Sequence, residues 1–335
     1  MADNPSPCSS TAWAGRPVLI TGGYGFIGSN LALRLCDLGA VVTVMDCLLP
    51  QFGGNRFNLR GHEDRIRTHV FDLRDGPALE SLLEGQEVIF NLAGQTSHLD
   101  SIRDPETDLA INVTAQLRLL ERCRQVVPRV RLVYASTRQL YGRPQKLPVE
   151  ESHPIHPVDV NGINKLAAEM YHILYSELYD LSACVLRLTN TIGPRMRIRD
   201  ARQTFLGIWV RQLLEGRPIE VWGGDQLRDF NDVEDVVDAL LLAGARQDLP
   251  LEPYNLGSSE VISLIDLARM MIELHGSGEL MVMPFPDERK KIDIGDYYSS
   301  YAHFQAATGW RPQRSLRQTL KGILEYYSGC MHRYV

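Results

Sequence analysis

The sequence predicts an α/β protein in which a doubly wound parallel sheet carries a smaller C-terminal α/β lobe. Three observations predict this fold class: short β-branched runs alternate with helical stretches up to about residue 190, a glycine-rich turn follows the first run, and the alternation then becomes irregular. Strands that alternate with helices form a parallel sheet covered on both faces. The 335 residues, of which 44% are hydrophobic, suffice to bury one large core or the cores of two joined lobes.

The first fifteen residues, MADNPSPCSSTAWAG, are polar and rich in proline and serine, and they lack the apolar centre of a secretory signal. We therefore expect residues 1–15 to be a short flexible leader and residues 16–190 to form the main domain. The strands predicted in that domain, in chain order, are RPVLITGG, AVVTVMD, IRTHVFDL, EVIFNLAG, VRLVYAST and SACVLRLTN. Helical spacing separates them in SNLALRLCDLG, PALESLLEG, TDLAINVTAQLRLLERCRQ and NKLAAEMYHILYSELY.

Residues 191–335 do not continue the regular alternation of strands and helices. RQTFLGIWVRQLLEG is an amphipathic helix, and IEVWGGDQLRDFNDVEDVVDALLLAG is read as strand, loop and helix. The remainder contains short elements interrupted by proline and glycine. We expect a smaller lobe against the edge of the main sheet, with some strands and helices returning to that sheet.

Charge and cysteine usage exclude several classes of protein. A net charge of −6 with interspersed arginines and acids provides no basic face for nucleic acid. The longest apolar candidate, VVDALLLAGA, is broken by Asp238 and is shorter than the roughly 18 to 20 residues that span a bilayer. The six cysteines show no CxxC and no zinc-like pairing, so we expect reduced thiols, no metal site and a cytoplasmic location.

The turn TGGYGFIG has the pattern of a Rossmann-type dinucleotide site. Gly22 allows a tight turn, Gly25 lets a pyrophosphate approach the backbone, and Gly28 permits close helix packing, with the phosphate at the helix N-terminus. A strand precedes this turn, a helix follows it, and Asp46 ends the second strand 24 positions beyond Gly22. A carboxylate there binds ribose hydroxyls and repels the 2′-phosphate of NADP, so NAD is the expected cofactor. Asp72, which ends the third strand, either hydrogen-bonds the adenine amino group or is an ordinary loop acid.

Further segments follow this turn in a fixed order: FDL, NLAG, YASTRQLYG, NGINK, LRLTNTIGPR and GGDQLRDFNDVEDVV. With these segments the chain, from about Arg16 to Pro312, resembles the extended short-chain dehydrogenase/reductase family, specifically its nucleotide-sugar epimerase and dehydratase branch. The resemblance implies a Rossmann domain that binds NAD over residues 16–190. It also implies that the lobe over residues 191–335 binds a nucleotide-diphosphate sugar.

The resemblance also implies roles for individual residues. Lys165 matches the lysine that holds the nicotinamide ribose, and Thr137 matches the residue that hydrogen-bonds the reacting hydroxyl. Asn190 and Arg228 match residues that contact and clamp the nucleotide diphosphate, and Arg289 is a candidate second clamp; an arginine fork binds phosphate oxygens in pairs. The expected cofactor contacts are Gly22, Tyr24, Gly25, Phe26, Ile27, Gly28, Asp46, Asp72, Leu73, Leu92, Ala93, Gly94 and Lys165.

The sequence departs from the family at the proton acceptor. The family's tyrosine stands four positions before Lys165, where this chain has Asn161. A carboxamide has no proton to exchange at usable pH, and the loss of a positioned base typically costs roughly 10²- to 10⁴-fold in rate. Three alternatives follow. Asn161 holds a water or the hydroxyl while Lys165, His98 or a nearby tyrosine acts as base; the oxidised carbon differs from the usual one; or the protein binds its ligands without turning them over.

The two residues after Thr137 bear on the reaction. The family's 4,6-dehydratases carry Asp and Glu there, and its uronic-acid decarboxylases carry Glu at the second position. Arg138 and Gln139 donate hydrogen bonds but cannot shuttle protons near neutral pH, although a plain packing role also explains them. Arg202 and Gln203 either contact the substrate or belong to an amphipathic helix.

These observations favour an NAD-dependent nucleotide-sugar epimerase that works through a transient keto-sugar. A dehydratase, decarboxylase or oxidoreductase of the same family is the first alternative, and a non-catalytic protein that binds NAD and a nucleotide sugar is the alternative of another class. The resemblance implies a homodimer that pairs the NGINK helix and the stretch near Asn112. The expected catalytic residues are Thr137, Asn161, Lys165, His98 and Gln139, and the expected substrate contacts are Arg138, Asn190, Arg202, Gln203, Arg228 and Arg289.

Overall fold

A computed structural model describes residues 10–75, 79–285 and 293–335 of the chain. Within these residues the largest sheet has seven strands, all parallel. The six strands predicted in the main domain are all present in it, and the predicted α/β fold class is confirmed. In spatial order the strands are β10 (Pro253–Asn255), β6 (Ser182–Leu188), β5 (Arg131–Thr137), β4 (Val88–Asn91), β1 (Pro17–Thr21), β2 (Val41–Asp46) and β3 (Ile66–Val70).

The central strands are buried on both faces. Leu19 is in register with Ile89, and both belong to the core on one side of the sheet. The next pair in register, Ile20 and Phe90, belongs to the core on the other side. Successive side chains of a strand point to opposite faces, so a sheet covered twice needs an apolar residue at nearly every position. This is the physical reason for the continuous apolar runs in the sequence.

Helices cover the two faces of the sheet. The first face carries α2 (Phe26–Asp37) and α9 (Val233–Ala245). The second carries α3 (Leu79–Leu83), α6 (Ala115–Val126) and α7 (Val160–Leu178). Between β4 and α6 the chain forms the short helices α4 (His98–Arg103) and α5 (Pro105–Leu109), followed by a π-helical turn over Ala110–Thr114.

The C-terminal lobe has a core of its own, which includes Trp209, Val221 and Leu320. The stretch LRDFND, predicted as a loop, is a strand because it pairs with a strand on each side. That pairing joins residues distant in sequence, so no local pattern indicates it. The remaining elements are α1 (Ser10–Trp13), β7 (Asn190–Ile192), α8 (Phe205–Leu214), β8 (Ile219–Trp222), β9 (Leu227–Asp232), β11 (Val261–Ser263), α10 (Leu264–His275), β12 (Leu280–Met283), α11 (Ala302–Thr308) and α12 (Leu316–Cys330), with 3-10 turns at Pro50–Phe52, Arg56–Leu59, Arg138–Tyr141 and Met331–Arg333.

One segment differs from the predicted domain boundaries. Residues 10–13, part of the flexible leader predicted over residues 1–15, form the helix α1, and Trp13 is fully buried with its ring centroid 6.0 Å from that of Phe90, whereas residues 1–9 lie outside the described residues. Farther along, α9 and β10 follow residue 190 in sequence and return to the main sheet, on which α9 packs and with which β10 pairs. In the part of the chain that the structure describes, no helix has both the length and the apolar character needed to cross a membrane.

Candidate active site

A pocket lies at the carboxyl ends of β1 and β4, where the strand order reverses. Open α/β sheets bind their ligands at this switch point. Tyr24, Arg202 and Arg228 do not line the pocket, and Arg289 lies outside the described residues. The predicted site residues that do line it are Gly22, Gly25, Phe26, Ile27, Gly28, Asp46, Asp72, Leu73, Leu92, Ala93, Gly94, His98, Thr137, Arg138, Gln139, Asn161, Lys165, Asn190 and Gln203.

The glycine turn is shaped to admit a phosphate. Gly22 has a φ of +71°, in the left-handed region that glycine adopts without strain. A Cβ on Gly28 would lie 2.3 Å from the Gly22 carbonyl oxygen, so only glycine lets α2 pack this close to the turn. The N-cap of α2 is Gly25, which provides no side-chain hydrogen bond to the first amides. Those amides and the positive end of the helix dipole suit the pyrophosphate of a dinucleotide.

Asp46 is buried at the end of β2 beside this turn. Its Oδ2 accepts a hydrogen bond from the backbone N–H of Tyr24 at 3.0 Å, and its Oδ1 accepts one from that of Leu48 at 2.8 Å. Burial raises the pKa of Asp46, whereas these backbone hydrogen bonds oppose the rise. Tyr24 therefore contributes through its backbone, although a direct cofactor contact was predicted for it.

Asp72 is held by its near neighbour Arg74. The guanidinium donates from Nε to Oδ1 at 2.9 Å and from Nη2 to Oδ2 at 2.6 Å. The Arg74 hydrogen bond lowers the pKa of Asp72, so this carboxylate is ionised and already paired. Its proposed contact with the adenine amino group stays a prediction.

The loop NLAG is fixed to the end of β1. Thr21 Oγ1 accepts hydrogen bonds from the backbone N–H groups of Leu92 and Ala93, both at 3.1 Å. A Cβ on Gly94 would lie 3.0 Å from Asn112 Oδ1 and 3.9 Å from Lys165 Nζ. The loop thus passes directly beside the lysine that the resemblance singled out.

Lys165 lies on the first turns of α7 and points into the pocket wall. Its Nζ donates to the Ala135 carbonyl at 2.6 Å and lies 4.3 Å from the ring centroid of Tyr134. Burial lowers the pKa of Lys165 to about 8, against the opposing effect of Glu169. At neutral pH the amine is therefore charged, and it acts as a hydrogen-bond donor.

Asn161 is fixed by its own set of partners. Its Nδ2 donates to the Gln95 carbonyl at 2.8 Å and to Asp108 Oδ2 at 3.2 Å. The other oxygen of Asp108 accepts from Asn164 Nδ2 at 2.8 Å. Two asparagines of α7 therefore bind one buried carboxylate, which orients Asn161 at the pocket wall. Asp108 could not be predicted from the sequence, because nothing in TDLAINV distinguishes it from an exposed helix acid.

Asp159 connects two predicted catalytic residues. As the N-cap of α7 it accepts the backbone N–H of Gly162 at 2.7 Å. Its Oδ2 lies 2.9 Å from His98 Nδ1 and accepts from Gln139 Nε2, also at 2.9 Å. The His98 pair is close in distance but does not meet the geometry of a hydrogen bond. Burial opposes ionisation of Asp159, but the nearby His98 ring and the hydrogen bonds from Gly162 and Gln139 outweigh it and lower the pKa of this carboxyl. Sequence reasoning missed this residue, although an aspartate before a helical run is a common N-cap signal.

Arg138 lines the same pocket. Its Nη2 donates to Asn190 Oδ1 at 3.2 Å, and its guanidinium lies 4.8 Å from the ring centroid of Tyr297. Burial lowers the pKa of Arg138. Arg228 lies outside the pocket lining: it donates to the carbonyl of Leu227 at 2.9 Å, and burial together with repulsion by Arg138 lowers its pKa to about 10.

The last two predicted substrate contacts differ in position. Gln203 lines the pocket, but its Oε1 accepts the backbone N–H of Arg197 at 2.8 Å. Arg202 Nε forms an ion pair with Asp100 Oδ2 at 2.8 Å beside a smaller neighbouring cavity. No tyrosine lines the main pocket within the described ranges, and no cluster of His, Cys, Asp or Glu there is placed to hold a metal ion.

The doubly wound sheet, the glycine turn at its switch point and the buried acid at the end of β2 define a dinucleotide-binding α/β protein. A family model described as "NAD dependent epimerase/dehydratase family" matches residues 18–257. The chain belongs to this family, and its cofactor is NAD. The glycine cradle and Asp46 fit that group, which confirms the cofactor predicted from the sequence.

Relatives and solved structures cover nearly the whole chain. A UDP-glucose 4-epimerase of Mycolicibacterium smegmatis is 31% identical over 92% of this chain and 97% of its own length. The UDP-glucose 4-epimerase of Thermotoga maritima, solved with UDP-glucose, is 29% identical with a TM-score of 0.86 and coverage of 94% and 99% of the two chains. MoeE5 in complex with UDP-glucose and NAD is 28% identical with a TM-score of 0.82 and the same coverage.

Proposed function

We infer that the protein is an NAD-dependent nucleotide-sugar epimerase that works through a transient keto-sugar. The observation that carries this proposal is one pocket in which the glycine turn, Lys165, Thr137 and the Arg138–Asn190 pair lie together. A dinucleotide and a second anionic ligand therefore fit in one continuous site. The similarity to UDP-glucose 4-epimerases supports a nucleotide sugar as that second ligand.

The groups next to Thr137 favour epimerisation over loss of water or carbon dioxide. Arg138 donates to Asn190, and Gln139 donates to Asp159, so both are engaged as hydrogen-bond donors. Neither can deliver or remove a proton near neutral pH. An epimerase needs no further acid or base at this position, because the ketone is reduced again from its other face. A UDP-glucuronic acid decarboxylase of Xenopus tropicalis is 30% identical over 92% of this chain and 72% of its own length, and decarboxylation is the alternative within the family.

The chain's own residues have distinct tasks in this proposal. When bound, NAD supplies the hydride acceptor and donor. Asp46 and the α2 amides hold the adenosine half, and Lys165 donates to the nicotinamide ribose. Thr137 and Asn161 orient the carbinol that reacts, and Arg138 with Asn190 binds the diphosphate or the sugar.

The test is to incubate the protein with NAD and a panel of nucleotide sugars and to follow each by NMR. We expect one of the sugars to approach an equilibrium with its epimer, and Lys165→Met to abolish that conversion. A decarboxylated or dehydrated product instead would replace the epimerase proposal with the alternative reaction. No conversion of any sugar while NAD stays bound would contradict enzymatic activity.

That last outcome corresponds to a second candidate, a non-catalytic protein that binds NAD and a nucleotide sugar. The observation that favours it is Asn161, which stands where the family's proton acceptor is expected.

A homodimer is proposed on the exposed side of α7. Ile163, Met170, Leu174 and Leu178 form an apolar stripe there, each between 43% and 60% exposed. On α5 the neighbouring Leu109 is also exposed. Exposed apolar patches of this kind commonly mark protein interfaces, and pairing two copies of α7 would cover the stripe.

A further inference from the structure

His98 lines the pocket with a ring nitrogen that can accept or donate a proton. It is the first residue of α4, and its side chain is 39% exposed toward the pocket that it lines with Thr137 and Asn161. No described residue bonds its Nε2, whereas Nδ1 lies 2.9 Å from Asp159 Oδ2. One nitrogen therefore faces a fixed carboxylate, and the other is available to a ligand.

The carboxylate of Asp159 sets which nitrogen carries the proton. The side chain of Asp159 is fully buried, and its oxygens accept from Gly162 and Gln139. These two hydrogen bonds fix the carboxylate on the Nδ1 side of the ring. A carboxylate accepts only, so its position favours the neutral imidazole that has its hydrogen on Nδ1 and a lone pair on Nε2. Hydrogen bonds between catalytic groups are often poorly aligned without substrate and tighten when substrate binds.

The other polar groups of the pocket are less suited to accept the hydroxyl proton. Lys165 Nζ is already engaged as a donor to the Ala135 carbonyl at 2.6 Å. Thr137 Oγ1 accepts the backbone N–H of Gln139 at 3.2 Å, and a threonine hydroxyl is not a base at neutral pH. Asp46, at the end of β2, already accepts from the backbone N–H groups of Tyr24 and Leu48, and Asp72, which follows β3, is paired with Arg74.

We propose, resting on the epimerase function above, that His98 Nε2 is the proton acceptor and donor of the reaction and that Asp159 is its positioning residue. The carbinol O–H bond breaks and its proton bonds to Nε2, while the carbinol hydrogen leaves with both bonding electrons to bound NAD, so the alcohol becomes a ketone. The hydride then returns to the opposite face, and Nε2 gives its proton back to the oxygen. Charged groups on the elements packed around the ring are Asp100 and Arg103 on α4, Glu106 and Asp108 on α5, Asp159 at the N-cap of α7, and Lys165, Glu169 and Glu177 on α7.

Two matched variants separate catalysis from structure. His98→Asn keeps a donor toward Asp159 but removes Nε2, and we expect kcat to fall by ~10²- to 10⁴-fold while NAD binding is retained. Asp159→Asn keeps an N-cap for α7 but places an amide donor against Nδ1, and we expect at least a ~10-fold loss of kcat. His156→Asn, on an exposed loop residue, is the control and should leave kcat unchanged.

The second readout is independent of turnover. In the protein labelled with ¹⁵N-histidine and loaded with NAD, NMR should show the His98 hydrogen on Nδ1 in the wild type and on Nε2 in Asp159→Asn. A hydrogen on Nε2 in the wild type would overturn the proposal. If the wild type epimerises a nucleotide sugar and His98→Asn retains activity within about threefold, His98 is excluded and the epimerase function stands. If the wild type converts no sugar, both proposals fail.

Discussion

Replacing Asn161 by tyrosine tests whether the asparagine has a task of its own. The family's proton acceptor is a tyrosine. If Asn161 only represented the loss of that base, restoring the tyrosine should raise activity. In the structure Asn161 is buried, and its amide donates to the Gln95 carbonyl and to the Asp108 carboxylate. A phenol has one donor, on a longer side chain, and cannot reproduce either contact. We therefore expect Asn161→Tyr to be less stable and less active than the wild type.

The expected loss of stability in Asn161→Tyr can be calculated from the two hydrogen bonds of Asn161. A neutral hydrogen bond contributes about 1 kcal/mol and one to a charged group about 1.5 to 3 kcal/mol. Their joint loss predicts a decrease of roughly 2.5 to 4 kcal/mol in the free energy of unfolding, measured by urea denaturation. Displacement of Gln95 and α4 should lower kcat by ~10²-fold. The control Glu177→Tyr adds a tyrosine at an exposed position of α7 and should change neither quantity. Equal stability with equal or faster turnover in Asn161→Tyr would refute the reasoning.

Three further substitutions test other parts of the site and surface. Lys165→Met should abolish turnover. Burial lowers the pKa of Lys165 from 10.5 to about 8, so the free energy of unfolding of the wild type should increase as the pH rises between these values. The same pH dependence in urea unfolding of the Met variant would contradict this. Asp46→Ala should weaken NAD binding by ~10-fold or more and improve NADP binding relative to NAD in calorimetric titrations. The control Asp37→Ala, at an exposed helix end, should change neither affinity. An unchanged preference for NAD in Asp46→Ala would exclude Asp46 as the ribose acceptor. Leu174→Glu should convert the dimer into monomers in sedimentation velocity. Val282 is exposed on β12, away from the apolar stripe of α7, so Val282→Glu should leave the dimer intact. A monomeric wild type would exclude the dimer.

The sequence predicted the parts of the molecule that local patterns encode. The six strands of the main domain are apolar because both faces of the sheet are covered, and the glycine turn requires glycine because a Cβ on Gly28 would collide with the Gly22 carbonyl. Those features leave a periodic or positional mark in the chain. The strand β9 leaves none, since its partners β7 and β11 lie far away in sequence.

Within the site, the same distinction separates what was predicted from what was missed. Lys165, Thr137 and His98 stand in segments with a recognisable pattern, and they line one pocket. Asp108 and Asp159 are single acids whose partners come from other elements: Asp108 binds Asn161 and Asn164, and Asp159 faces His98 and Gln139. Their roles depend on tertiary contacts that bring α4, α5 and α7 together, which the spacing of residues along the chain does not reveal.

The most direct test of the proposed chemistry is the origin of the hydrogen on the inverted carbon. When the epimerisation runs in deuterated water, a hydride that leaves the sugar and returns to it keeps protium at that carbon, although the hydroxyl proton exchanges. We therefore predict that the product epimer, analysed by proton NMR, contains no solvent deuterium at the inverted carbon. Deuterium at that position would show that a carbon-bound proton is removed to solvent, and it would contradict an epimerase that works through hydride transfer.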